Sequence, residues 1–161
     1  MEAVAFDPAV FVVAGNATFT ISPTPAAIAH FMGLGQDCLD HYTYKVHRKE
    51  GTGKWAGKDT WFVSLLTGPD NWSNYTYMGL LDHEAMSLRL TAKSKYTNTS
   101  VPVMVLRRLL KAIAPGYDGP PLPEGYVYHA GKCGRCGRKL TVPSSIENGI
   151  GPECMKKVYG G

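Results

Sequence analysis

Thr60-Trp61-Phe62-Val63-Ser64-Leu65-Leu66, the turn Thr67-Gly68-Pro69-Asp70-Asn71, and then Asn74-Tyr75-Thr76-Tyr77-Met78-Gly79-Leu80-Leu81 make up the stretch that sets the fold. Both apolar runs are rich in β-branched and aromatic residues at a period of two, and a Gly/Pro/Asn turn joins them, which is the pattern of paired strands. The same period recurs on either side, at residues 18–21 and 42–46 before it and 87–91 after it, with Glu50-Gly51-Thr52-Gly53 as a further turn. Short connections between successive strands predict an antiparallel, meander-like sheet. The run from Ala9 to Gly15 reads as another strand; no basic stretch precedes it and it follows Glu2 and Asp7, which argues against an export signal.

Two segments interrupt the strand pattern. Residues 23–35 carry helix formers and end in Gly33 and Gly35, predicting a short helix capped at Gly35. Ser100 can cap a second helix with Pro102 in its first turn. There Val103, Leu106, Leu109, Leu110 and Ile113 form the face that packs on the sheet, and Arg107, Arg108 and Lys111 take the other side. The fold class is therefore α+β, with one or two helices. A Pro/Gly-rich stretch at 115–125 separates a sheet domain, 1–114, from a small module, 126–161.

That module carries three of the four cysteines. In Cys133-Gly134-Arg135-Cys136-Gly137-Arg138 the two-residue spacing lets both thiolates point into one concavity, and Gly151-Pro152-Glu153-Cys154 brings a third to the start of a helix, where the dipole favours a thiolate. Gly134 and Gly137 fit the tight turns of such a knuckle. The expected ion is Zn²⁺, held by Cys133, Cys136, Cys154 and, as the ligand that best closes the tetrahedron, His129; failing His129, Cys38 or water completes the shell. A redox dithiol and a structural disulfide are the competing readings of Cys-x-x-Cys, and neither has the surrounding pattern it needs. A module this small cannot bury enough apolar surface to fold alone, so the metal is expected to supply its folding free energy.

At 161 residues, with 44% hydrophobic and 19% charged residues, the chain has the composition of a globular protein, and it has no apolar run long enough to cross a membrane. A cytoplasmic location follows, and the sequons at Asn16, Asn71, Asn74 and Asn98 are then chance matches. The net charge of +4 is localised: of 17 basic and 13 acidic residues, 11 of each lie before residue 130. The excess comes from Lys132, Arg135, Arg138, Lys139, Lys156 and Lys157 set against Glu147 and Glu153. Such a patch is what phosphate contacts require.

The stretch from Cys133 to Cys154, with its Cys-Gly-Arg-Cys-Gly-Arg knuckle, Pro143-Ser-Ser-Ile146 and Gly149-Ile-Gly-Pro-Glu-Cys154, resembles a small, functionally unsettled zinc-binding domain family found at protein ends in actinobacteria and their bacteriophages. The resemblance implies a metal-binding module of zinc-ribbon or treble-clef type and no particular activity. The residues before it resemble no family closely, although 62–71 and 75–79 are similar to segments found upstream of such tails in phage proteins.

Catalysis is not expected. Glu147 and Glu153 do not stand in a metalloprotease-like arrangement, and Asp40-His41, His47 and Asp82-His83-Glu84 read as surface groups. Tyr42 and Tyr44, Trp61, Tyr75 and Tyr77 recur at alternate positions, so they either stack nucleobases on an open face or pack across strands beneath the helices. Trp55 and Trp72, in turns, are candidates for exposed stacking or for a protein contact. The expected function is a non-enzymatic nucleic-acid-binding accessory protein of phage type, acting in the host cytoplasm, with no small-molecule cofactor beyond zinc. The alternative is a protein-interaction module that modulates a host complex, its zinc purely structural.

Overall fold

The computed structural model describes residues 6–22, 41–68, 74–120, 122, 126–140 and 143–159. The expected helix at 23–35, Cys38, Asp40 and Trp72 lie outside them. Six antiparallel strands form one sheet in the order β5-β4-β3-β2-β1-β6. They are β1 (Asn16–Ile21), β2 (Tyr42–Lys49), β3 (Thr60–Leu66), β4 (Tyr75–Asp82), β5 (Ser87–Arg89) and β6 (Val127–His129). The first five are the expected meander. The sixth comes from the C-terminal module and adds to the free side of β1, pairing Phe19 with His129 and Ile21 with Val127. The expected α+β class holds.

Alternation along the strands decides which face is covered. Ala17, Phe19 and Ile21 of β1, Tyr42, Tyr44 and Val46 of β2, and Trp61, Val63 and Leu65 of β3 are all buried on one side. In β4 the register slips beside Val63, so that Met78 and Leu81 are buried there. Helix α2 (Val101–Ile113) lies on this side with Val103, Val105, Leu106, Leu109 and Leu110 buried. Its start differs in detail from expectation: the Ser100 hydroxyl accepts from Thr97 N at 2.9 Å rather than from an N–H of the helix. Tyr44, wholly buried, ties sheet to helix by donating to Pro102 O at 2.6 Å. Arg107, expected only to be solvated, donates to Leu88 O at 3.0 Å and Asn98 Oδ1 at 2.8 Å.

The apolar run at 9–15 is a helix, not a strand. Asp7 accepts from Ala9 N at 3.0 Å as N-cap and Pro8 opens the first turn, giving α1 (Pro8–Val12). Capping outweighs the β-branched composition because the run ends within one turn and a half at Gly15, whose φ of 134° only glycine adopts easily. Phe11 and Val12 are thereby buried, and Trp61 Nε1 donates to Val13 O at 3.0 Å.

The aromatic pairs divide between the faces. Tyr42, Tyr44 and Trp61 are core residues, as cross-strand packing under the helices requires, whereas Tyr75 and Tyr77 are half-buried on the opposite face. Residues 115–120 form an irregular connection in which Tyr117 OH donates to Pro120 O at 2.8 Å. Helices α3 (Pro143–Asn148) and α4 (Pro152–Tyr159) are the last described elements. Among the described residues no helix is long and apolar enough to cross a membrane.

Candidate metal centre

The knuckle closes by local hydrogen bonds that its glycines permit. Cys133 N donates to Arg138 O at 2.8 Å, Gly137 N to Cys133 O at 2.9 Å and Leu140 N to Gly131 O at 2.9 Å, while Lys132 and Lys139 form an isolated antiparallel bridge. Gly137 sits at φ 80°, as a tight turn after the second cysteine requires. Gly134 is needed for a different reason: a Cβ there would lie 2.5 Å from Phe11 Cδ2, so the knuckle rests directly on the α1 ring. The knuckle also meets the α1–β1 joint through Asn16 N, which donates to Gly134 O at 2.7 Å.

Helix α4 brings the third sulfur. Pro152 opens the helix, Met155 N donates to Gly151 O at 2.8 Å, and Cys154 falls in the first turn. Helix α3 ends at Gly149, φ 84°, and the Asn148 side chain accepts from Ile150 N at 2.9 Å. Gly149 O in turn accepts from Gly134 N at 2.8 Å, locking the return segment to the knuckle. The ligand atoms of Cys133, Cys136 and Cys154 then all lie within 4.8 Å of one another. Cys133 and Cys154 are buried and Cys136 is exposed.

The donor set suits a cation that binds thiolates. Cys133 Sγ receives N–H groups from Gly151 at 3.3 Å and Arg135 at 3.4 Å. Burial pushes its thiol up, but the N–H groups of Cys136, Gly151 and Arg135 outweigh that and hold it below the ordinary cysteine value. Cys154 goes the other way: burial raises it, as do the neighbouring Cys136 and Cys133, against the Arg135 guanidinium, whose Nη1 lies 3.7 Å from its sulfur. Three sulfurs this close, two of them buried, are stable together as thiolates only around a cation.

His129 does not join them. Its Nδ1 accepts from Gly131 N at 3.1 Å, its Nε2 is hydrogen-bonded to Ile146 O, and its ring packs against Phe6 and Phe11 with centroids 5.5 and 5.9 Å away. It sits on the core side of β6, where it links that strand to α3. Of the basic residues, Arg135, Arg138, Lys139 and Lys157 line a cleft of about 340 Å³ over the three sulfurs, together with Glu153. Lys156 does not line the cleft but lies 3.9 Å from the cleft residue Glu153 in an exposed pair, and Lys132 faces a second groove on the sheet. Trp55 is 56% exposed at the tip of the β2–β3 hairpin, with Lys54 Nζ 5.5 Å and Lys58 Nζ 5.9 Å from its ring centre. Phe11, which the sequence pattern does not mark, is the seat of the knuckle, and Tyr128 is an exposed ring on β6.

Of the candidate acid and base groups, Asp82 and His83 line one cleft together with Asp59. Asp82 accepts from Glu84 N and Ala85 N at 3.0 and 3.1 Å, which holds its carboxyl below the usual range, and His83 stacks on Trp61 at 4.2 Å between ring centres. His41 and His47 are exposed.

Fold and site together define an α+β protein whose C-terminal cysteine cluster can bind a metal ion. Residues 124–159 match a family of unknown function, DUF6011. No curated protein and no solved structure matches the chain.

Proposed function

We propose that this chain is a non-enzymatic, zinc-containing accessory protein that binds nucleic acid through the basic cleft over its cysteine cluster. The observation that carries this reading is the convergence of Arg135, Arg138, Lys139 and Lys157 around three sulfurs that share one point. Zinc suits three thiolates held this close together, and when bound it contributes folding free energy rather than chemistry. With His129 committed elsewhere, the fourth position falls to Cys38 or to water. The resemblance of the tail to actinobacterial and phage sequences supports a phage-type protein working in a host cytoplasm.

The zinc-loaded protein, titrated against generic DNA at two salt concentrations, tests this. Binding should weaken steeply with salt, and an Arg135/Arg138/Lys139 triple alanine variant should lose roughly 0.9 in log–log salt slope for each duplex phosphate contact removed. Absence of binding at low salt would favour the other reading, a protein-interaction module for a host complex, in which the exposed Trp55 between two lysines is the obvious contact.

A further inference from the structure

The core uses one face of the sheet, and the strand register arranges the other. Tyr128 of β6 stands opposite Thr20, Thr20 opposite Thr43, and Leu66 opposite Tyr75, so that Tyr128, Thr20, Thr43, Leu66 and Tyr75 form one row across five strands. At about 4.8 Å per strand the two tyrosines are on the order of 19 Å apart. Between them the threonines leave a groove of about 240 Å³, whose lining includes Thr18, Thr20, Thr43, Tyr75 and Lys132. Its floor is polar: the Thr20 and Thr43 hydroxyls are 2.8 Å apart. Tyr128 is 51% exposed at one end, and at the other Lys45 Nζ lies 5.7 Å from the Tyr75 ring centre.

The charge on this face is one-sided. Alternation points Lys45, Lys49 and Arg89 outward. Among the described strand residues only Asp82 at a far corner opposes them, and its carboxylate is taken up by its own turn. Lys132, on the rim of the groove, is bridged to Lys139, which lines the metal cleft, so the two cationic surfaces adjoin.

We propose that this face takes a single strand of nucleic acid, its bases stacked on Tyr128 and Tyr75 and its phosphates on Lys45 and the basic rim of the metal centre. The inference rests on the nucleic-acid reading above and narrows it. Two flat rings at the ends of a polar floor, with lysines on its rim, offer stacking to unpaired bases and charge to their phosphates. A duplex hides its bases and is read by an element that enters a groove, which a face recessed to threonine does not provide.

Fluorescence anisotropy of the full, zinc-loaded chain with labelled oligothymidylate and oligouridylate of about 20 nucleotides, and with a duplex of the same length, tests the proposal. Tyr128→Ala should weaken binding to the single strands about tenfold, the loss of one stacked base, while Tyr128→Phe keeps wild-type affinity and duplex binding does not change. A loss with both oligothymidylate and oligouridylate is expected, since thymine and uracil each present a stacking face. If Tyr128→Ala binds single strands as the wild type does, the proposal is overturned, and duplex binding that persists leaves the basic cleft reading standing. If the wild type binds none of the probes, both fall.

Discussion

The sheet body and the C-terminal tail are stabilised by different physics. The body buries Phe19, Tyr44, Val63, Met78 and the apolar face of α2 in one core, and hydrophobic burial of that kind persists without any ligand. The tail adds Cys133, Leu140, Ile150 and Cys154 to that same core, and two of these are thiols that a cation would hold together as thiolates. Yet the regions are not independent: β6 is the last strand of the sheet, and Phe11 of α1 supports Gly134 and Gly149 of the tail. The lesson is that a cysteine cluster able to hold a metal can be built directly onto an apolar core rather than beside it.

The sharpest way to separate the two is to remove the metal. Chelation, or Cys136→Ser, should abolish hydrogen-exchange protection at Cys133, Gly134, Gly137 and Leu140, whose N–H groups close the knuckle, while β2, β3 and β4 keep theirs. Loss of protection throughout would mean that the body depends on the metal too. Acid should act in the same direction, because protons compete with the cation for all three sulfurs and affinity falls as pH falls; a zinc-sensitive dye reports the release.

Truncating the shared support should damage both regions. Phe11→Ala is expected to cost about 3–5 kcal/mol in denaturant unfolding and to weaken zinc binding as well. An effect on one without the other would show that the knuckle does not rest on α1. Gly134→Ala places a methyl group 2.5 Å from the Phe11 ring and should cost about 1–3 kcal/mol, a loss that Phe11→Leu partly relieves if that contact is the cause.

The strands were legible in the sequence because residues such as Trp61, Val63 and Leu65 alternate with partly exposed ones over a full strand, a signal that no tertiary contact needs to supply. The cysteines were legible for a similar reason: the knuckle is made by hydrogen bonds between residues a few positions apart. Helix α1 was not, because Val10, Phe11, Val12 and Val13 favour a strand and only the Asp7-Pro8 cap says otherwise. His129 was misleading because its partners, Gly131 N and Ile146 O, are fixed by how the tail folds back, which spacing does not reveal. Neither was it visible that Tyr75 and Tyr77 face away from Tyr42, Tyr44 and Trp61, since a period of two fixes alternation but not which face is covered.

The smallest expected effect lies in the body. Asp59 accepts from Arg48 Nε at 2.7 Å and Gly51 N at 3.2 Å, and the Arg48 side chain first, then that N–H, hold its carboxyl below the ordinary value of 3.8. A depressed carboxyl contributes stability that is present above its unfolded value and lost as pH falls through the folded one. Asp59→Asn should therefore flatten the fall in thermal stability below about pH 4 and leave zinc binding alone. Unchanged acid sensitivity in this variant would remove Asp59 from the account.

Native mass spectrometry of the purified chain tests the central claim most directly. One zinc per chain is predicted, lost when Cys136 is replaced by serine, with the thiols reduced in the metal-bound form. A metal-free chain that keeps a folded tail, or a Cys133–Cys136 disulfide in its place, would contradict it.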